Sequence, residues 1–390
     1  MSDGMNINIT TGNADEQAKS VGADIKNESP QLNTVFDVDK LGNNDGKIEE
    51  ADFDLAYKKN PTLKEKLENL YIEFASEKLG KTKTVGNYQV TVVDLPFSPT
   101  GVTERRKIMK DTATGKVVMK SNTTITEKDG LTTVKVHKER FGIKDVKIND
   151  SEFQYNKELL EKYIIEDAVD SHGKKIKYFS SIPDIKSIPE EARTSEQNKL
   201  LEEFDNLVKY SIEAGTDYGI DPKLVISIIQ QEVAFQGLSD KVVGKNGKGY
   251  MQLTSAPVQD FLGYLGGQKY SATKISLYGP EMEELLLSRG FDTQKAKSSF
   301  QKMSLYQDIM DYLKTNKDAE FNIRLGSQVL GYYMNRANGN VKIAAKNYNG
   351  SPLKEQYSRN VTNYHQVLED TVPKDSTYAF KKEMIRFPKR

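Results

Sequence analysis

The chain has 390 residues, and its 56 Lys plus Arg balance 56 Asp plus Glu. That balance leaves no global field to gather nucleic acid or an anionic surface, and no stretch is long and apolar enough for membrane insertion. The absence of cysteine fits any redox compartment, and the length suits two or three domains, each with its own core. Residues 1–34 are polar and rich in Asn, Ser, Thr and Asp, the composition of a mobile tail. The opening MSDGMNINITTGNADEQ lacks the basic and apolar regions of a secretory signal. Segment 35–80 reads as helical around FDVDKLGNNDGKIEEADFDLAY (36–57), where oxygen-bearing side chains precede Asp45–Gly46, followed by Ile48 and a closing acid, Asp52. Residues 86–148 alternate polar and apolar positions, punctuated by Thr114–Gly115 and Asp129–Gly130, which predicts an antiparallel meander inside a β-rich domain over 81–155. The pattern NKELLEKYIIEDAV then predicts a helix, and a Pro- and Ser-containing stretch near 180–195 closes a helix-and-linker region over 156–198. His137, His172 and His365 fall in no ligand-like spacing and are expected at the surface.

Three segments after that boundary carry the chemistry: DYGIDPKLVISIIQQEVAF (217–235), GKGYMQLT (247–254) and EFNIRLGSQVLGYYMNRANGNVKIAAKNYNG (320–350). In the first, Asp221 can cap a helix, Pro222 suits its first turn, and Leu224, Val225, Ile228 and Ile229 form one apolar stripe. Glu232 continues that stripe, so its carboxyl leaves the core-facing side of the helix. Desolvation there disfavours the charged form and raises the pKa, as a general acid working near neutral pH requires.

In their order and spacing, these segments resemble the catalytic domain shared by soluble lytic transglycosylases and goose-type lysozymes. The resemblance runs from residue 217 to residue 350 and rests on four short motifs. Glu232 matches the catalytic acid at the end of an apolar helix. Gly249, Tyr250, Met251 and Gln252 match the family's Gly-x-Met-Gln turn, and Asn322, Ile323 and Gly326 its Asn-Ile-x-x-Gly. Ala345, Lys346, Asn347, Tyr348, Asn349 and Gly350 match Ala-x-x-Tyr-Asn-Gly. The resemblance implies an acid/base role for Glu232, with the Tyr348 hydroxyl beside it or the substrate. It implies a sugar-binding role for Gln252, Met251 through its carbonyl, Tyr250 and Asn349. Two departures stand out: Val233 replaces the usual Ser after the acid, and the stretch between Gln252 and Asn322 is longer than the family commonly uses. An insertion over about 264–318, with Gly266–Gly267, Gly279–Pro280 and the helical run EMEELLLSRG, is the simplest reading.

The fold class expected is therefore α+β and multidomain: a mainly helical, lysozyme-like domain over 199–390, preceded by the β-rich domain and the helical segment. The reaction implied is cleavage of the glycosidic bond between N-acetylmuramic acid and N-acetylglucosamine in peptidoglycan, closing a 1,6-anhydro ring, with no cofactor in catalysis. A lysozyme-type hydrolase would want a second acid to hold water, for which Asp240 is the nearest candidate. A glycan-binding module without turnover, or a structural component of a phage or secretion assembly, is the other class of reading. Peptidoglycan as partner implies a cell-wall, periplasmic or extracellular location or a phage particle, with a cell-envelope or phage-assembly partner. Segment 36–57 resembles an EF-hand or dockerin loop, which would place Asn43, Asp45, the Lys47 carbonyl, Glu49 and Asp52 at calcium-ligand positions. Its first ligand position falls on Leu41, a defect that Asp39 or Asp37 would repair through a longer loop. KDVKINDSEF (144–153) echoes that spacing without the glycine.

Overall fold

The computed structural model describes residues 32, 34–141, 146–166, 182–233, 249–253, 272–293, 299–314, 318–349, 352–372, 379–380 and 384–386. The fold is α+β, and the chain divides into two compact units, Met1–Phe74 and Ala75–Arg390. Nearly all of the expected tail lies outside the described residues, as do Asp240, Gly266–Gly267 and His172.

In the first unit, α1 (Val35–Leu41) and α2 (Glu50–Lys59) flank the acidic loop, and α3 (Lys64–Glu77) follows. Their apolar faces meet at Val38, Phe53, Ala56 and Leu67, all fully buried. Phe53 packs edge-on against Tyr71 at 5.1 Å. The loop closes on its own backbone. Asp39 accepts from the N–H groups of Asp45 and Gly46 at 3.1 and 3.2 Å. Asp52 accepts from those of Asn43 and Glu49 at 3.3 and 2.8 Å, which caps α2. Gly46, at φ +81°, supplies the sharp turn.

The second unit opens with six antiparallel strands in sequence order: β1 (Thr82–Val85), β2 (Tyr88–Asp94), β3 (Val102–Asp111), β4 (Val117–Lys128), β5 (Leu131–Phe141) and β6 (Val146–Tyr155). Asp129 and Gly130 both take positive φ between the paired residues Lys128 and Leu131, the geometry of a two-residue hairpin whose twist matches its strands. Alternation along β5 turns Val134, Val136 and Lys138 inward together, all buried.

Helices follow: α4 (Lys157–Glu166), α5 (Ile182–Ser187), α6 (Ser195–Tyr218), α7 (Pro222–Val233), α8 (Ala272–Ser288), α9 (Ser299–Lys314), α10 (Ala319–Arg336), α11 (Val341–Asn349) and α12 (Lys354–Glu369). Helices α8 and α9 occupy the stretch read as an insertion. Two short strands, β7 (Ala379–Phe380) and β8 (Met384–Arg386), then pair with β6. The sheet is thus not set apart from the helices, as the expected boundary after residue 155 had it. Val134, Val136, Phe153 and Tyr155 share one apolar core with Leu224, Ile228 and Val329. Three further ties cross the seam. Lys138 and Arg140 on β5 both pair with Glu281 on α8, at 2.5 and 2.6 Å, and Lys223 on α7 donates to the Gln154 carbonyl on β6.

Candidate functional site

Helix α7 begins where the chain reverses. Gly219 ends α6 in the left-handed conformation at φ +71°, and Asp221 Oδ1 accepts from the Lys223 N–H at 2.9 Å. Leu224, Val225, Ile226, Ile228 and Ile229 are fully buried, each stabilising the helix by about 1.5–3 kcal/mol. The apolar run thereby carries Glu232, half-buried, into the helical core.

Burial pushes the Glu232 carboxyl up to about 8, against a smaller downward pull from the Tyr357 hydroxyl. Tyr357, in the first turn of α12, donates to Glu232 Oε1 at 2.7 Å. Tyr348, at the end of α11, lies close enough that the charge of Glu232, after burial, raises its own pKa well above the ordinary tyrosine value. Its hydroxyl donates to the Met251 carbonyl at 3.0 Å.

That carbonyl belongs to the turn of residues 249–252, which is held from two sides. Asn322 Oδ1 on α10 accepts from the Met251 N–H at 3.0 Å. Gly249, at φ +70°, passes so near Asn322 that a Cβ would sit 2.1 Å from Nδ2. Gly326 gives the Met251 side chain its room, since a Cβ there would lie 2.3 Å from Sδ. The four motifs separated in sequence therefore meet around one turn.

Within this cluster the residues to which the resemblance gives a sugar-binding role are placed as follows. Met251 is fully buried and its carbonyl accepts from Tyr348. Gln252 is buried with its amide donating to Gly249 O at 2.7 Å, inside its own turn. It also holds φ +41°, a strained value for a residue with a Cβ. Tyr250 is buried, and Asn349 is half-buried at the end of α11. Tyr357 was not singled out from the sequence. Its signal was the helical spacing of Tyr357, Val361, His365 and Leu368, a core-facing stripe that α12 does bury.

His365 is a correction: it is buried rather than at the surface. Its Nε2 lies 3.2 Å from Asp221 Oδ2 and 3.3 Å from Glu369 Oε1. Lys223 Nζ stands 3.5 and 3.1 Å from the same two carboxylates. Among the described residues, Asp221, His365 and Glu369 are the one group of three potential ligands whose atoms all lie within 4.8 Å of each other. Lys223 already places a cation there, so the cluster reads as an ionic clasp between the start of α7 and the end of α12. The loop acids Asp39, Asp45, Glu49 and Asp52 do not converge to that degree. Asp39, Asp45 and Asp52 each accept from backbone N–H groups, and Asn43 Nδ2 reaches Asp45 at 3.3 Å. Lys47 directs its own N–H to Asp45 at 2.8 Å. As folded, this loop fits a self-closed turn better than a calcium cage.

No helix among the described residues is long and apolar enough to cross a membrane. No family model matches the chain, nor does any curated protein or solved structure.

Proposed function

We propose that the chain is a peptidoglycan lytic transglycosylase, with Glu232 as its single acid/base and helices α6 to α12 forming a lysozyme-like catalytic domain. The observation that carries this reading is the state of Glu232. A half-buried carboxyl with its pKa pushed up to about 8 holds a proton at neutral pH, ready to give to a glycosidic oxygen. That transfer breaks the C1–O bond and leaves positive charge on the muramoyl ring. The resulting carboxylate then takes the proton of the C6 hydroxyl as O6 bonds to C1, closing the 1,6-anhydro ring and returning Glu232 to its starting form. Tyr357, donating to Oε1, orients the carboxyl and stabilises it while it is charged.

Burial and Tyr357 are what set the pKa of Glu232; among the described residues no carboxylate adds to them. A hydrolase would use a second carboxyl group, and the sequence candidate for it, Asp240, lies outside the described residues. Peptidoglycan is then the partner, and the protein's work lies at the cell wall or in an assembly that penetrates it.

The test is mass spectrometry of purified peptidoglycan incubated with the wild-type chain and with Glu232→Gln. The expected products are 1,6-anhydro-muropeptides from the wild type alone. Reducing-end products would replace this reading with lysozyme-type hydrolysis, and sedimentation with the wall without any release would replace it with a glycan-binding module.

A further inference from the structure

The hairpin of α11 and α12 supplies both tyrosines that gather around Glu232, and its solvent side carries charge that the proposed reaction does not use. Between residues 341 and 368, Lys342, Lys346, Lys354 and Arg359 stand against a single acid, Glu355. Four cations and one carboxylate leave an excess of three positive charges, in a chain whose total is zero.

These charges form one patch. Lys346 on α11 pairs with Glu355 on α12, which ties the outer sides of the two helices together. The same bond holds Glu355 below the ordinary carboxylate value, and the charges of Lys342 and Lys354 add to its effect, so both stand near that carboxyl. Arg359 follows Glu355 by four residues and therefore shares its face of α12. One exposed carboxylate holds such partners weakly, and the patch presents a positive field to the solvent. Two apolar side chains lie among the cations: Ile343 and Leu353 are 47% and 69% exposed.

The place of the patch bears on what it meets. Lys354 precedes Tyr357 by three residues, and Lys346 precedes Tyr348 by two. Each cation is thus within one turn, about 5.4 Å along its helix, of a tyrosine at the acid. A group tethered to a sugar at Glu232 by a short peptide can reach that far, since four extended residues span about 13–14 Å.

We propose that the outer face of the α11–α12 hairpin binds the peptide stem of the muramoyl unit being cleaved, with Lys342 and Lys354 meeting the stem's carboxylates. The inference rests on peptidoglycan being the partner. Charge-assisted hydrogen bonds from the two ammonium groups fit acceptor-only carboxylates. Ile343 and Leu353 then cover the small apolar side chains of the stem. That pairing selects a peptide over a phosphodiester polymer, which offers the charge without the apolar side chains.

Calorimetric titration of the full-length Glu232→Gln chain, which leaves its ligand uncut, with soluble glycan strands tests this. One set of strands carries uncross-linked stems; in the other an amidase has removed them and left the lactyl carboxylate on each muramoyl sugar. Stem-bearing strands are expected to bind about fivefold more tightly, the worth of two exposed ion pairs. The preference should shrink at high ionic strength and vanish when Lys342→Gln and Lys354→Gln are combined, both positions being exposed. Free stem peptide should compete for the surface. Equal affinity for the two sets of strands, or a preference that survives the double variant, overturns the proposal. So does competition by a glycerol phosphodiester polymer and not by the peptide, which would assign the surface to a phosphate ligand. The products of the wild-type chain report on the reaction separately. Cleavage without a stem preference keeps the transglycosylase reading and strikes this surface, and a stem preference without cleavage does the reverse.

Discussion

Glu232 and Tyr357 form a pair whose two halves pull on one pKa in opposite directions. Burial favours the neutral carboxyl, whereas the Tyr357 hydroxyl favours the carboxylate. A general acid that must return as a base needs both influences, because an acid held too firmly neutral would not give up its proton. Tyr357→Phe removes the downward pull alone. The alkaline limb of the activity profile, expected near pH 8 in the wild type, should then move to higher pH while the maximal rate falls about tenfold or more. A pH–rate profile of soluble-product release from peptidoglycan checks this. An unchanged limb would mean that the 2.7 Å contact does not govern the acid. Glu232 was legible because its place in the apolar stripe follows from helical spacing alone. Tyr357 was not: a tyrosine in a polar helix looks like any other until the partner helix supplies a carboxyl for it to meet.

At the scale of elements, the turn of residues 249–252 depends on backbone room rather than on side-chain chemistry. The sequence showed the motif, and the structure supplies its physical reason: two glycines admit Asn322 and Met251 at distances that no Cβ would permit. Gly249→Ala combines a left-handed φ with a clash against Asn322, so it should destabilise the second unit by about 1–2 kcal/mol from the backbone alone. It should also lower activity, since the Met251 carbonyl that holds Tyr348 would move. Thermal melting together with turnover on peptidoglycan tests the pairing of these effects, and a variant with wild-type stability and rate would refute it. The α7–α12 clasp was less legible. Asp221 reads as a helix cap, which it is, but its second oxygen meets His365, 144 positions away in the chain. Spacing rules describe neighbours within one element and carry no information about that meeting. For the same reason the meander of β1 to β6 could be read from alternation, whereas the return of β7 and β8 to β6 could not.

For the second unit as a whole, two buried carboxyls with opposite shifts set how stability depends on pH. Glu281, held near 2 by Arg140 and Lys138, is a depressed carboxylate that ties the sheet to the helices. Its contribution is present above the unfolded-state value and is lost as pH falls from about 4.5 toward 2. Glu232, raised to about 8, behaves in the opposite sense. Between about 4.5 and 8 the folded form keeps a proton that the unfolded chain releases, so stability falls as pH rises through that window. The melting temperature of the second unit should therefore peak near pH 5 and decline on both sides. Glu232→Gln removes one side of this dependence without touching the other. It should leave the acid limb intact and flatten the decline from pH 5 to 8, with a gain on the order of 1–3 kcal/mol at pH 7 and almost none at pH 4. Melting curves of both chains across pH 3–9 measure this directly. If Glu232→Gln melts no higher than the wild type at pH 7, the carboxyl is not held neutral by burial, and the proton that the proposed reaction draws on is not there.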